Sequence, residues 1–193
     1  MRLGSGKLLF LTTAFAGPRC AMSTSAAAAA KTFMFGPYSC KYSQVFYETP
    51  LSLCFVNLKP IVPGHVLVIP KRVCARFADM TPEEVHDLWA TVHHVGPVLE
   101  RHYGCDALNL AIQDGRSSGQ SVEHVHVHVL PRKPDDFRRN DDVYEELEKQ
   151  RLDQSLKPHG ERVDPDAERR PRTEAEMAEE ASSLRSLFPR SLL

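Results

Sequence analysis

Short apolar segments alternate with turn-forming residues along the central part of the chain. These segments are rich in Val, Ile, Leu and Phe, and they span residues 45–47, 51–56, 65–69, 107–112 and 122–130. Residues typical of turns separate them, at Pro50, Pro60, Pro63-Gly64, Pro70 and Asp114-Gly115. The pattern predicts a sheet of about five strands, of which the first three form an antiparallel meander.

A longer apolar period between the third and fourth segments predicts one helix. Thr81, Pro82 and Glu84 supply an N-cap, a proline at the first helical position and a capping-box glutamate, and Gly104 ends the pattern. Pro97 lies inside this span and lacks a backbone N–H, so we expect the helix to bend there. The apolar stripe consists of Val85, Leu88, Trp89, Val92, Val95 and Leu99.

Two expectations concern the side chains of this helix. Trp89 is the only tryptophan in the chain, and we expect it to pack in the core. Three histidines of the helix, His93, His94 and His102, are expected on its solvent side.

The N-terminal residues 1–32 differ in composition from the rest of the chain. They contain no acidic residue, and they include an apolar run at 8–11 and an alanine tract at 26–30. These features are typical of cleavable leaders. We interpret 1–32 as a disordered or cleavable extension; a mitochondrial transit segment, a secretory leader and an upstream start preceding Met22 remain open.

The C-terminal part is predicted to contain a loop followed by a helix. The catalytic domain is expected over 33–150, and the charged, proline-containing residues 151–172 predict a flexible loop. Thr173 and Glu176 then form a capping box within 173–193. The helix has an apolar stripe that must dock on the domain, formed by Met177, Ala181, Leu184 and Phe188.

Composition excludes several classes of protein. The 193 residues carry 24 Lys and Arg against 25 Asp and Glu, a net charge of −1, which argues against nucleic-acid binding through bulk positive charge. No apolar run approaches the ~20 residues that cross a bilayer. The five cysteines contain no C-x-x-C pair, which argues against a disulfide scaffold or a zinc ribbon. We expect a cytoplasmic protein, with a mitochondrial or nuclear location as alternatives and a mitochondrial one if 1–32 is a transit segment.

Three histidines alternate with valines at His124, His126 and His128. This alternation predicts a strand with three imidazoles on one face and three valines on the other. A rise of ~3.3 Å per residue separates the outer histidines by roughly 13 Å, so one zinc ion cannot bind all three. A site with two of the histidines needs further ligands, and the sequence offers no obvious set.

An anion is the ligand that the preceding loop favours. Residues 113–121 are rich in Gly, Ser and Gln, which offer backbone and side-chain donors to phosphate oxygens, although the Walker spacing is absent. A histidine nitrogen is also a competent nucleophile toward phosphorus. The residues therefore favour phosphoryl or nucleotidyl transfer through histidine, with a zinc module or an alternation without chemical role as alternatives.

The motif His124-Val125-His126-Val127-His128-Val129 resembles the signature of the histidine-triad superfamily of nucleotide hydrolases and transferases. Further segments are similar to the fragile histidine triad (Fhit) branch of that superfamily, and the similarity covers roughly residues 33–188. These segments are 56–68, 113–115, 119–122, 130–133, 144–147 and the helix from Thr173.

The resemblance implies a dinucleoside polyphosphate hydrolase that cleaves diadenosine triphosphate to AMP and ADP through a nucleotidyl-histidine. By similarity, His126 is the nucleophile, His124 and His128 flank it, and His65 supports the cluster. The implied substrate contacts are Asn57, Gln113, Gly119, Gln120, Ser121, Val122 and His128, with Tyr38 at a position where the branch often has a histidine. Tyr144 corresponds to a tyrosine with a regulatory or substrate-binding role.

The resemblance also implies an α+β fold, with a twisted antiparallel sheet flanked by helices and continued across a two-fold homodimer. Magnesium or manganese is expected to be carried by the substrate phosphates rather than by protein ligands. No nucleic-acid or membrane partner is expected. A nucleoside phosphoramidase of the Hint type and a non-catalytic, nucleotide-bound signalling protein are the alternative functions.

Overall fold

The computed structural model describes residues 31–155 and 170–188. Its strands are β1 Thr32–Phe35, β2 Tyr38–Lys41, β3 Val45–Glu48, β4 Ser52–Val56, β5 Val66–Pro70, β6 Ala107–Ile112 and β7 Val127–Arg132. Its helices are α1 Pro82–Tyr103, α2 Asp142–Ser155 and α3 Glu174–Arg185. Three segments lie outside the described residues: 1–30, 156–169 and 189–193. The predictions for nearly all of the N-terminal extension and for most of the charged loop fall on these segments. No helix of the described part is long and apolar enough to cross a membrane.

Five strands form one antiparallel sheet in the order β3-β4-β5-β7-β6. The predicted five-stranded sheet, its meander β3-β4-β5 and the α+β class are therefore confirmed. Strands β1 and β2 form a separate hairpin, which the sequence analysis did not predict. Gly36 lies in its turn at φ +56°, a backbone conformation that glycine adopts without strain.

The last predicted strand, 122–130, begins later in the structure. The backbone N–H of His124 bonds to the carbonyl of Val122, and that of Val125 bonds to the carbonyl of Cys74. These bonds replace the sheet ladder, so β7 starts only at Val127. The prediction that all three histidines lie within one strand was wrong, because only His128 belongs to β7.

The two faces of the sheet pack against different elements. Helices α1 and α3 cover one face, where the valines of the histidine motif pack with Leu88, Val92, Val95 and Leu99 of α1. The β1–β2 hairpin covers the other face through Phe33 and Phe35. The alternation of the motif therefore places its valines against the helices.

Helix α1 has both of its predicted ends, but the predicted position of one side chain is wrong. Thr81 and Glu84 form the capping box, Gly104 ends the helix at φ +63°, and the helix continues through Pro97. His93, His94 and His102, which are expected on the solvent side, are exposed. Trp89 is 38% exposed, so its predicted core position was wrong. It follows the fully buried Leu88 by one residue, which turns it about 100° away from the buried stripe.

Helix α3 docks on the sheet beside α1. Thr173 caps it with Glu176, as the sequence predicts. Its apolar stripe is buried in the same core cluster as α1, through Met177, Ala181, Leu184 and the following Phe188. Arg172, immediately before the helix, donates its backbone N–H to the carbonyl of Leu58 in the β4–β5 connection.

Candidate active site

Four histidines are buried beside one another where β5 and β7 pair. The antiparallel register sets Leu67 of β5 opposite His128, and His65 directly precedes β5. The ring centroids of His65 and His128 are 5.2 Å apart, and those of His126 and His128 are 4.9 Å apart. The structure thus brings together His65, His126 and His128, which the sequence analysis assigned to one cluster.

Burial lowers the pKa of each histidine of the motif. The pKa of His124 falls to about 4, chiefly because burial disfavours the charged ring. Burial also lowers the pKa of His126, and it lowers that of His128 well below its usual value, aided by His126 and His65. The three rings are therefore neutral at pH 7, with one proton and one lone pair each.

The hydrogen bonds of His65 and His128 determine which nitrogen carries each proton. The backbone N–H of Ile61 donates to Nδ1 of His65 over 3.2 Å, so this nitrogen holds a lone pair. Nε2 of His65 then donates to Nδ1 of His128 over 3.0 Å. His128 keeps its proton on Nε2, a buried atom without a hydrogen-bond partner among residues 31–155 and 170–188. This N–H can therefore donate to an oxygen of a bound ligand.

His126 has the opposite arrangement. Its Nδ1 lies 2.7 Å from the backbone carbonyl oxygen of His124, and a carbonyl only accepts. The proton of the neutral ring is therefore on Nδ1, and the lone pair is on Nε2. A lone pair on Nε2 of His126 and an N–H on Nε2 of His128 thus lie on adjacent rings, whose centroids are 4.9 Å apart.

The ring of His124 serves the fold. Its Nε2 donates to the carbonyl of Pro70 over 2.9 Å, and its Nδ1 accepts the backbone N–H of Gly36 over 3.1 Å. Both nitrogens are committed to backbone groups, so the geometry does not offer them to a phosphate oxygen. His124 acts on His126 through its main-chain carbonyl, which sequence reasoning about imidazoles could not reveal.

The β1–β2 hairpin contributes a residue that the sequence analysis missed. The ring of Phe35 lies 5.3 Å from that of His126, nearly perpendicular to it, and 5.7 Å from that of His124. The adjacent Gly36 approaches Val122 so closely that a Cβ there would lie 2.7 Å from a valine methyl. Local sequence offers no signal for this contact, because it joins residues about ninety positions apart.

The β4–β5 loop carries Asn57, a predicted substrate contact. Asn57 is buried, its carboxamide oxygen accepts the N–H of Lys59, and its nitrogen lies 3.1 Å from Nε2 of His65. Because that Nε2 donates to His128, we treat the Asn57 contact as packing. The loop therefore places Asn57 against the histidine cluster.

The β6–β7 loop holds the other predicted substrate contacts. Gln120 closes the loop, since its side-chain oxygen accepts the N–H of Gly115 and its nitrogen donates to the carbonyl of Ala75, both over 2.8 Å. Gly115 and Gly119 have φ angles of +94° and +87°, which glycine adopts most readily. The side chain of Gln120 is thus occupied within the protein. Gln113 and Ser121 are half-buried and Val122 is buried.

Two predicted tyrosines lie at the surface. Tyr38, in β2, is 50% exposed, and Tyr144, in α2, is 52% exposed. The Tyr144 hydroxyl accepts a hydrogen bond from the carboxamide of Asn109 at 3.5 Å. Neither has a described contact with the four histidines.

The described residues contain no group of three or more His, Cys, Asp or Glu side chains arranged to hold a metal ion. Both ring nitrogens of His65 and His124, and Nδ1 of His126 and of His128, take part in hydrogen bonds.

Comparison with known proteins agrees with this fold. Residues 39–135 match the family model of the HIT domain. The chain is 48% identical over 157 residues to the bifunctional bis(5'-adenosyl)-triphosphatase/adenylylsulfatase FHIT of Arabidopsis thaliana, covering 81% of this chain and 84% of that protein. It is 45% identical over 157 residues to the bis(5'-adenosyl)-triphosphatase of Dictyostelium discoideum, covering 81% and 93%.

A solved structure gives the same answer. The diadenosine triphosphate hydrolase of Plasmodium falciparum, crystallised with cyclomarin A, superposes with a TM-score of 0.62 at 27% identity, over 81% of this chain and 84% of that one. The chain therefore belongs to the HIT domain family and, within it, to the fragile histidine triad branch.

Proposed function

We propose that this protein hydrolyses dinucleoside polyphosphates, and that it cleaves diadenosine triphosphate to AMP and ADP through a nucleotide bonded covalently to His126. The names of the two curated relatives support the substrate and the reaction. The observation that carries the mechanism is the fixed tautomer of His126, with Nδ1–H on the carbonyl of His124 and the lone pair on Nε2.

The first step forms a phosphorus–nitrogen bond. Nε2 of His126 attacks the α-phosphorus of one adenosine, and the bond from that phosphorus to the bridging oxygen breaks, so ADP leaves with the electron pair. The ring becomes cationic while it is bonded to phosphorus. The His124 carbonyl, which already accepts Nδ1–H, stabilises that charge.

The second step restores the enzyme. Water attacks the phosphorus, the phosphorus–nitrogen bond breaks, and AMP and a proton are released. Nε2–H of His128, which has no partner in the described part of the chain, is positioned to donate to a phosphate oxygen in both steps. Its orientation is maintained by the chain of bonds from Ile61 through His65.

Substrate contacts follow from the two loops beside the cluster. We assign the ribose to Asn57 and the polyphosphate to Gln113 and the segment from Gly119 to Val122, with Tyr38 at the rim of the site. In this assignment Gln120 acts by closing the loop, because its side chain is occupied by Gly115 and Ala75 and its backbone N–H donates to the carbonyl of Gly115. Magnesium or manganese arrives on the substrate phosphates.

The active form is proposed to be a two-fold homodimer. Strand β6 is an edge of the sheet, and its Leu110 is 45% exposed. An edge strand offers free backbone donors and acceptors, so two β6 strands can continue the sheet across a two-fold axis. The dimer is tested by the mass of the purified protein in solution.

Product analysis tests the proposed reaction. The purified protein is incubated separately with diadenosine triphosphate and with adenosine 5'-phosphoramidate, each with Mg²⁺, and the products are separated by chromatography. We expect equal amounts of AMP and ADP from the first substrate, at a kcat/KM well above that for the second. A clear preference for the phosphoramidate assigns the Hint-type activity instead, and binding of diadenosine triphosphate without cleavage assigns the non-catalytic, nucleotide-bound role.

A further inference from the structure

We propose that Glu180 of helix α3, acting through Arg172 and Tyr103, braces the β4–β5 loop and thereby positions Asn57 for nucleotide binding. The inference rests on the proposed function for the nature of the ligand. Glu180 and Arg172 lie outside the HIT-domain match of residues 39–135. None of the three residues was among the predicted site residues, and each acts through the loop rather than on the substrate.

Arg172 holds the start of the loop. Its Nε donates to the backbone carbonyl of Asn57 over 3.0 Å, and its Nη2 donates to the same oxygen. Its Nη1 forms an ion pair with Glu180, and the two side chains are 18% and 21% exposed. The guanidinium therefore links helix α3 directly to the main chain of Asn57.

Tyr103 holds the end of the same loop. Its hydroxyl donates to the second oxygen of Glu180 over 2.9 Å. Its ring lies so close to Gly64 that a Cβ at that position would be 2.4 Å from a ring carbon. Gly64 has a φ of +78° and immediately precedes His65, so Tyr103 contacts the loop beside the histidine cluster. Glu180 thus joins supports at both ends of the loop.

The composition of the loop explains why outside support matters. Pro60 and Pro63 have no backbone N–H, so the loop is short of internal donors. The guanidinium of Arg172 supplies two donors to the Asn57 carbonyl. An Arg172 side-chain variant keeps the backbone bond from residue 172 to Leu58, so the loop stays attached while the support of Asn57 is lost.

The experiment is a double-mutant cycle between Arg172 and Asn57. R172A, N57A and the double variant are compared with the unaltered chain in KM and kcat for diadenosine triphosphate, in Kd for AMP by calorimetry, and in melting temperature. We expect R172A to raise KM and Kd about tenfold, with kcat changed far less, because it removes two charge-assisted hydrogen bonds to Asn57. In the N57A background the same change should leave KM and Kd unaltered, whereas its effect on the melting temperature should persist.

Three further variants guard against a merely structural effect. R172K keeps the charge beside Glu180 but cannot donate twice to one carbonyl, so we expect an intermediate KM. We expect E180Q to have an intermediate KM, as R172K does. R170A is the matched control, since Arg170 pairs with Glu176 at the exposed start of the same helix and should leave KM unchanged.

The outcomes separate the brace from the proposed reaction. If R172A changes KM and Kd equally in the unaltered chain and in the N57A background, the proposed support of Asn57 by Arg172 is wrong. An unchanged KM in R172A would contradict it as well. If the protein does not cleave diadenosine triphosphate, the proposed reaction is refuted, and the Kd for AMP alone then tests the proposed support of Asn57. That proposal is refuted as well if the unaltered chain does not bind AMP, or if R172A does not weaken AMP binding.

Discussion

The two loops that carry the candidate substrate contacts are held in place by different means. The β4–β5 loop is supported by Arg172, which is 115 positions from Asn57 in sequence. Arg172 forms an ion pair with Glu180, and both of these side chains are about four-fifths buried. The β6–β7 loop is held by the neighbouring segment of residues 70–77, through Gln120 and through the Arg76–Asp114 ion pair, whose side chains are 54% and 31% exposed.

This difference determines whether changes in helix docking or in salt concentration affect each loop. Support of the β4–β5 loop depends on the docking of helix α3, so it is coupled to the core of the whole domain. Support of the β6–β7 loop includes an exposed ion pair, which salt screens. The histidine cluster lies where the two loops meet, since His65 ends the first and His126 follows the second.

Replacement of His126, the proposed nucleophile, has the largest expected effect. Replacement His126→Asn should lower kcat for diadenosine triphosphate by at least about a thousandfold, because no other nitrogen of the cluster has a fixed lone pair available to phosphorus. Steady-state kinetics with the purified variant measures this. The matched control is His86→Asn, an exposed histidine of α1, which should retain full activity. Comparable losses in both variants would contradict the assignment.

Substitution of Gly64 tests the close packing at the end of the braced loop. Gly64→Ala should destabilise the fold by about 2–3 kcal/mol, because the new methyl group meets the Tyr103 ring and the backbone has φ +78°. Gly104→Ala is the matched control, with φ +63° but open space around its Cβ, and it should cost only about 1 kcal/mol. Urea unfolding measures both. Equal losses would show that Tyr103 is not closely packed against the loop.

The pH dependence of kcat/KM and of stability tests the burial of His126 and His128 between the two loops. Because burial lowers the pKa of His126 and His128, their rings stay neutral as the pH falls through about 6.5, the ordinary histidine pKa. We expect kcat/KM to stay constant from pH 8 to below 6.5 and to decline only at more acid pH. The unfolded chain binds protons on these histidines below about 6.5 while the native chain does not, so stability should fall with decreasing pH in that range. A kcat/KM that halves near pH 6.5 would indicate a solvated nucleophile.

The smallest effect is expected at the ion pair of the β6–β7 loop. Arg76→Ala should raise KM only about twofold at low ionic strength, since Asp114 keeps its bond to the N–H of Phe77. The difference should disappear in high salt, where the pair is already screened. KM measured against salt for R76A and for R172A sharpens the contrast, because the R172A effect should persist. Equal salt sensitivity of both would remove the distinction between the loops.

Local patterns in the sequence predicted much of the fold. The five-stranded sheet followed from short apolar segments, and both capped helices followed from Thr81 and Thr173, because such signals act over a few residues. The predicted core position of Trp89 was wrong because a residue at the edge of an apolar helical stripe can face solvent. The hairpin strand β2 was missed because Tyr38–Lys41 has no apolar alternation.

The candidate site was predicted in its residue types and only partly in its geometry. The alternation of His and Val predicted separate sides for the imidazoles and the valines, and the valines pack against α1. The tautomers of His126 and His128 depend instead on the carbonyl of His124 and the N–H of Ile61, which carry no sequence signal. The contacts of Phe35 and Arg172 join residues far apart in the chain. Such contacts arise only when the sheet and helix α3 have packed.

The central claim is that Nε2 of His126 bonds transiently to phosphorus. Its most direct test is mass spectrometry of the protein mixed with diadenosine triphosphate and Mg²⁺ and quenched within the first turnover under conditions that preserve phosphorus–nitrogen bonds. We predict a mass increase of one adenylyl group, mapped to the peptide that contains His126 and absent in H126N. An adduct on a different residue, or rapid cleavage without any adduct, would contradict the account.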